Sequence, residues 1–194
     1  MTTLSPIPPG RMTAAEFLDW AAREDVGRVE LIDGEVVAMA SETRGHGRVK
    51  KRIDRAFDAA IAECGILCES YVDSIGVEIS ESDFFIPDVV VDCGDTSDMS
   101  DRDADRPTVV VEVLSPSTWR HDTNDKLLGY FSVDTVMHYL IVNVARRVVV
   151  HHARNGPKID TTIKGSGPLD LTPPGIAVDI EDFWSGLPPK DAVA

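Results

Sequence analysis

Hydrophobic positions along the first third of the chain follow helical spacing in two places. The segment TAAEFLDWAARED (13–25) has Thr13 three residues before Glu16, a capping box that predicts an amphipathic helix. A second helix is predicted over 46–65 and ends at a glycine. Its apolar positions are Val49, Ile53, Phe57, Ala60 and Ile61, and its opposite face carries Arg48, Lys51, Arg52 and Arg55.

Apolar runs bounded by turn residues predict strands along the rest of the chain. The pair Asp33-Gly34 lies between two apolar stretches within 28–40, which predicts a hairpin. The segment 117–131 is predicted to be a loop and a helix, and the glycine- and proline-interrupted tail predicts short strands or edge structure. Further strands are predicted at 66–72, 75–80, 84–92, 107–114, 137–144 and 147–153.

This order of elements predicts a mixed α/β or α+β fold, in which helices pack against a central sheet. We expect residues 1–12 to form a flexible leader and residues 13–194 to form a single domain, a size that can bury a substantial core.

One predicted strand, PTVVVEVLS (107–115), contains a charge where burial is expected. Glu112 lies among valines and a leucine, so both faces of the strand are apolar. An ionised carboxylate without a partner costs several kcal/mol or more in such a place. The role of Glu112 therefore depends on the partners that the chain can bring to it.

A second acid and a lysine are suitable partners. Asp88 follows Pro87 in another apolar run, and two carboxylates on neighbouring strands repel unless a cation lies between them. Mg²⁺ is the simplest such cation. Asp122, Lys126 and Tyr130 are spaced i, i+4 and i+8, so a helix packed over the sheet can direct Lys126 towards Glu112. Two acids and a lysine around a metal are typical of phosphodiester hydrolysis.

The charge balance bears on the partner of the protein. The formal net charge is −14, from 19 basic and 33 acidic residues, which counts against nucleic-acid binding without excluding it. The charge is segregated: acidic residues concentrate in 92–106 and basic residues in 44–55. The acidic loop lacks EF-hand spacing, so a mobile loop is a better interpretation than a Ca²⁺ site.

The cysteines and the amino terminus predict a cytoplasmic protein. Cys64, Cys68 and Cys93 are an odd set without zinc-site spacing, and we expect reduced structural thiols. The terminus lacks a signal-peptide pattern, and no apolar run is long enough to span a membrane.

Several motifs together resemble the Uma-type restriction endonuclease domains of the PD-(D/E)XK nuclease superfamily. Those domains show an ELIDGE hairpin, a histidine that opens the first core helix, a PDVVV strand and an EVLSPST…D…K…Y segment. The corresponding parts of this chain, in the same order within residues 13–153, are VELIDGEVVAM (29–39), His46, PDVVV (87–91) and EVLSPSTWRHDTNDKLLGY (112–130).

The resemblance implies a restriction-endonuclease-like fold and a Mg²⁺-dependent endonuclease, with Mn²⁺ as an alternative metal. The implied metal ligands are Asp88, Glu112 and the carbonyl of Val113. The superfamily's lysine is expected two residues after the glutamate, where this chain has Leu114. The resemblance therefore implies that Lys126 replaces it. The implied supporting residues are Glu30, His46 and Asp122.

Other interpretations remain open at this stage. Glu112 and Lys126 can form a buried ion pair without a metal, and His46 can be a helix-start histidine without a ligand role. Of His151 and His152, at most one can face a site on a strand, and a surface position is expected. The chain can be a non-catalytic binding or regulatory module of the same fold, or a hydrolase of small phosphate esters. The implied substrate is nucleic acid, with DNA favoured over RNA. The oligomeric state stays open, and a homodimer is one arrangement, by analogy with nucleases that cut both strands.

Overall fold

The computed structural model describes residues 7–23, 26–114 and 123–188. In chain order these residues form α1 (Ala14–Arg23), β1 (Val29–Ile32), β2 (Glu35–Ala38), α2 (Arg44–Cys64), β3 (Glu69–Val72), β4 (Val77–Ser80), β5 (Asp83–Phe85), β6 (Val89–Asp92), β7 (Pro107–Leu114), α3 (Thr123–Ser132), β8 (His138–Asn143), β9 (Val148–Asn155), β10 (Lys158–Lys164), β11 (Pro168–Leu171), β12 (Ile176–Asp179) and α4 (Ile180–Phe183).

The centre of the fold is a six-stranded mixed sheet in the order β10-β9-β8-β7-β6-β3. β7 and β8 are parallel and joined through α3, whereas the other neighbours are antiparallel. A second sheet of four strands has the order β2-β1-β5-β4, and β11 and β12 form a separate hairpin. The predicted mixed sheet with flanking helices is confirmed.

The two faces of the six-stranded sheet are covered by different elements. One face packs against α2, the β11–β12 hairpin and α4, with Val49, Ile53 and Phe57 of α2 fully buried. The other face packs against α3, mainly through Tyr130 and Phe131. Because side chains alternate along a strand, Val111 of β7 faces α2 whereas Glu112 faces α3. Among the described residues, no helix is long and apolar enough to cross a bilayer.

The local signals at the ends of the predicted helices and in the hairpin are present in the structure. Thr13 and Glu16 form the reciprocal capping hydrogen bonds that begin α1. Gly65 ends α2 with φ +62°, a left-handed conformation that favours glycine. Asp33 and Gly34 have φ values of +50° and +76° and connect β1 to β2, as a two-residue hairpin turn requires.

The predicted strand over 84–92 is wrong as a single element. The structure divides it into β5, which pairs in the four-stranded sheet, and β6, which pairs in the six-stranded sheet. Pro87 lies in the break and has no N–H to donate to a strand ladder. The chain therefore changes sheets here, and Asp88 is placed at the point of change.

The expectation of reduced thiols is wrong for two of the three cysteines. Cys68 and Cys93 form a disulfide, and Cys64 is free and exposed. The physical reason is the antiparallel pairing of β3 with β6, in which Glu69 lies opposite Asp92. Continuing that register places the two cysteines directly opposite each other.

The surface position expected for the histidine pair is wrong for His151. Its side chain is buried, and its Nε2 lies 2.9 Å from Nδ1 of the buried His138. Sequence spacing could not show this contact, because it depends on the antiparallel pairing of β8 with β9. Burial, together with the neighbouring His138, lowers the pKa of His151 to about 4.

We expect this histidine to make the fold less stable in acid. Between about pH 6.5 and 4 the imidazole binds a proton in the unfolded chain but not in the folded one, so stability falls as the pH falls. The loss should be about 3 kcal/mol at the acid end of this range. Urea unfolding at pH 7.5 and 4.5 should show a smaller loss in His151→Gln than in the wild type. His152→Gln, which alters the partly exposed neighbour, should change the loss less. An equal loss in the wild type and His151→Gln would contradict this assignment.

Candidate active site

Glu112 lies on β7 beneath α3, and its hydrogen bonds come from that helix. Oε1 of Glu112 accepts hydrogen bonds from Nζ of Lys126 at 3.0 Å and from the hydroxyl of Tyr130 at 2.8 Å. Lys126 and Tyr130 are one helical turn apart, so they reach the same oxygen from one face of α3. Both hydrogen bonds are made to Oε1, and among the described residues no hydrogen bond to Oε2 is seen.

Lys126 also joins Glu112 to the second sheet. Its Nζ lies 2.9 Å from Oε1 of Glu30 on β1, and the same oxygen accepts the backbone N–H of Ile86 at 2.9 Å. Lys126 and Glu30 are both buried. Lys126 is therefore not a solvated surface lysine but the shared cation of two carboxylates from different sheets.

Asp88 lies at the start of β6, beside the end of β7. Val89 pairs with Val111 in this antiparallel ladder, so Asp88, in the bend directly before β6, lies next to the part of β7 that carries Glu112. Oδ2 of Asp88 accepts the backbone N–H of Val113 at 2.6 Å. Because the N–H and C=O of one strand residue point to the same edge, the Val113 carbonyl is also directed towards this side of β7.

A second group of charges surrounds the other oxygen of Asp88. Nζ of Lys50, on α2, lies 2.6 Å from Oδ1 of Asp88 and 2.7 Å from Oδ1 of Asp73 and also hydrogen-bonds Glu42. Arg28 lies against the same carboxylates, 2.7 Å from Asp73 and 3.8 Å from Asp88. Asp88 thus belongs both to the strand pair with Glu112 and to this charged cluster.

The burial of the site changes the proton affinities of its charged groups. Desolvation and repulsion from Glu112 raise the pKa of Asp88 to about 6, although Lys50 opposes the shift. Desolvation also raises the pKa of Glu112, and Lys126 opposes that shift. Burial alone would lower the pKa of Lys126, but Glu112 and Glu30 reverse the effect and leave it raised. At neutral pH Lys126 therefore stays protonated.

The remaining residues predicted from the sequence have separate positions. His46 begins the buried face of α2. Its Nε2 lies 3.0 Å from the carbonyl oxygen of Leu114, and its Nδ1 lies 2.6 Å from the hydroxyl of Thr43. It therefore holds the start of α2 against the end of β7. Asp122 lies outside the described residues.

The sequence interpretation missed the residues around Lys50. Lys50 is one turn after His46 and directly follows Val49, so it lies on the apolar stripe of α2 rather than on the basic face. That position was an available signal, because a lysine in an apolar stripe needs a buried partner. Arg28, Glu42 and Asp73 gave no such signal, since they come from turns and connections around the strands.

Comparison with known proteins identifies the family of the chain. The family model of Uma2, described as "Putative restriction endonuclease", matches residues 14–180. The chain belongs to the Uma2 family. In Synechocystis sp. (strain ATCC 27184 / PCC 6803 / Kazusa), the relative named "Uncharacterized protein slr1290" is 26% identical over 94% of this chain and 95% of its own length. In the same organism, "Uncharacterized protein sll1609" is 27% identical over 76% of this chain and 83% of its own length.

A solved structure supports the fold of this Uma2 chain. The crystal structure of a "putative nuclease belonging to DUF820" from Anabaena variabilis ATCC 29413 superposes with a TM-score of 0.65. It covers 81% of this chain and 89% of its own, at 11% sequence identity. At that identity the similarity concerns the fold alone.

The donor set of this Uma2 site fits a divalent metal. Asp88, directly before β6, and Glu112, on the neighbouring β7, offer carboxylate oxygens, and the backbone of Val113 is directed towards Asp88. Oxygen donors of this kind are the ligands that Mg²⁺ and Mn²⁺ accept in proteins. Carboxylate oxygens of Glu42, Asp73 and Asp88 also lie within 4.8 Å of one another, but Lys50 and Arg28 contact this second set.

We expect the Lys126 ion pairs to be required for stability. Lys126→Met leaves the buried Glu30 and the largely buried Glu112 without their shared cation, so the free energy of unfolding should fall by about 3–5 kcal/mol. Urea unfolding at pH 7.5 measures the change. The double variant Lys126→Met/Glu112→Gln should recover part of the loss, because one of the unpaired charges is removed. A loss below about 1 kcal/mol in the single variant would contradict a buried bridge.

Proposed function

We propose that this Uma2 protein is a Mg²⁺-dependent endonuclease that hydrolyses phosphodiester bonds of nucleic acid, with DNA as the favoured substrate. The observation that carries the proposal is that Asp88 accepts the N–H of Val113, the neighbour of Glu112 on β7, while Nζ of Lys126 lies 3.0 Å from Glu112. A buried acid pair with an adjacent lysine suits hydrolysis of a charged ester better than it suits structural support alone.

Each residue has a defined part in the proposed reaction. Asp88, Glu112 and the Val113 carbonyl would hold the metal. The bound ion would supply polarisation of a phosphoryl oxygen and a lower pKa for an attacking water. Lys126 stays protonated and can orient the water or stabilise negative charge that develops on the phosphate. Tyr130 fixes Glu112 through its hydroxyl, and Glu30 fixes Lys126.

The acidic loop is the part of the charge distribution that opposes a polyanionic substrate. It connects β6 to β7 and folds back, because the backbone of Gly76 hydrogen-bonds those of Arg102 and Ala104. Gly76 is three residues after Asp73 of the charged cluster, so the loop adds negative charge on this side of the fold. A nucleic-acid substrate therefore needs basic side chains next to the site.

Basic residues lie at the end of the strands that carries the site. His46 contacts the end of β7, and Arg44 and Arg48 are exposed within one turn of it on α2. The predicted basic face continues along the helix through Lys51 and Arg55, which are also exposed. These side chains form a stripe that can contact phosphates next to the proposed metal ligands.

The metal requirement can be tested by calorimetry at low salt. We expect Mg²⁺ and Mn²⁺ to bind the wild type, and we expect Glu112→Gln to weaken binding by at least about 100-fold because a charged ligand is lost. Cleavage of DNA or RNA should fall with it. Glu35→Gln, which changes an exposed glutamate on β2, is the matched control and should bind and cleave like the wild type. Equal cleavage by Glu112→Gln and the wild type would make the assignment wrong.

A non-catalytic module of the same fold is the second candidate function. It is favoured by one observation: each acid of the site already has a lysine partner, Lys50 for Asp88 and Lys126 for Glu112. A salt titration of DNA binding, together with the cleavage assay, separates the candidates. Steeply salt-dependent binding with metal-dependent cleavage supports the enzyme. Absence of cleavage in a protein that folds and binds supports the module.

A further inference from the structure

Asp88 lies between β7 and the cluster of Lys50, Arg28, Glu42 and Asp73, and each of its carboxylate oxygens already has a partner. Oδ2 accepts the Val113 N–H at 2.6 Å, and Oδ1 lies 2.6 Å from Nζ of Lys50. Asp88 and Lys50 are both buried, and only 1% of Lys50 is exposed. A metal ion at Asp88 would therefore bind a carboxylate that an ammonium group already contacts.

Lys50 occupies the position of a bound cation. An ammonium group has three N–H donors, and Nζ of Lys50 has three carboxylate partners: Glu42, Asp73 and Asp88. Oxygens of these three residues lie within 4.8 Å of one another, a spacing that could otherwise hold an ion. The ammonium enters this group from the apolar face of α2, where the side chain is anchored by packing.

The charges of the cluster leave one carboxylate in excess. Glu42, Asp73 and Asp88 carry three negative charges, and Arg28 and Lys50 carry two positive charges. If Asp88 binds a metal, Lys50 and Arg28 keep Glu42 and Asp73 as partners. The charges of these four groups then sum to zero. Release of Asp88 therefore leaves none of the other charges without a partner.

We propose that Lys50 is an internal counter-cation that competes with the divalent metal for Asp88 and so sets the metal affinity of the site. This inference rests on the proposed function, because it takes Asp88 as a metal ligand. An ammonium and a divalent ion beside the same carboxylate repel each other, so metal binding requires Nζ to release Oδ1 of Asp88 and keep only Glu42 and Asp73 as partners. Lys50 is a positioning residue and touches no substrate.

The affinity for Mn²⁺, measured by the loss of the free-ion electron paramagnetic resonance signal, tests this role. Lys50→Met removes the competitor and should bind Mn²⁺ about 10-fold more tightly than the wild type or better. Lys158→Met removes the same charge from an exposed position on the edge strand β10 and should leave the affinity within about twofold. Circular dichroism confirms that each variant is folded.

Some outcomes would overturn the proposal. Equal or weaker binding by folded Lys50→Met does so, and so does the absence of Mn²⁺ binding in both the wild type and this variant. If Lys50→Met does not fold, Lys50→Met/Asp73→Asn replaces it, because this pair of changes keeps the net charge of the cluster. The double variant should also bind Mn²⁺ about 10-fold more tightly, and unchanged affinity overturns the proposal.

Failure of this inference differs from failure of the proposed function. If the wild type cleaves DNA with Mg²⁺ but Lys50→Met has unchanged affinity, only the role of Lys50 is wrong. If Lys50→Met gains affinity while neither protein cleaves DNA or RNA, the competition stands and the endonuclease assignment is wrong.

Discussion

The buried contact of Lys126 with Glu112 and Glu30 is the interaction on which the arrangement of the site depends. It joins the helix α3 to a central strand of one sheet and to a strand of the other. An unpaired carboxylate on the apolar face of β7 would destabilise the fold, and Lys126 neutralises the charges of both Glu112 and Glu30. This contact therefore fixes the relative positions of the three elements that surround the end of β7.

The site consists of two groups of charged side chains, one around Asp88 and one around Glu112, which lie next to each other. The group on the α3 side is built from Lys126, whereas the group on the α2 side is built from Lys50. Each places one lysine against one acid of the strand pair. These two ion pairs explain how Asp88 and Glu112 can lie close together away from solvent. They also make the affinity for any further cation depend on how easily a lysine releases its carboxylate.

Much of the fold was predictable because its signals are local. The capping box of α1, the Asp33-Gly34 turn and the glycine after α2 each depend on residues within a few positions of one another. The division of the strand at Pro87 was missed, although proline gives a local signal for it. The pairings of Cys68 with Cys93 and of His138 with His151 could not be predicted, because they depend on which strands become neighbours.

The sequence by itself determined that Glu112 would lie in an apolar strand, and that a second acid and a lysine could come close to it. Both conclusions follow from apolar runs and helical spacing, which are local properties of the chain. Only the tertiary structure decided that Lys126 would also bind Glu30, and that Lys50 would lie against Asp88. The reason is physical: a charge can be compensated by any opposite charge within a few ångströms. Which charges come that close is fixed by the packing of helices and sheets, not by their separation along the chain.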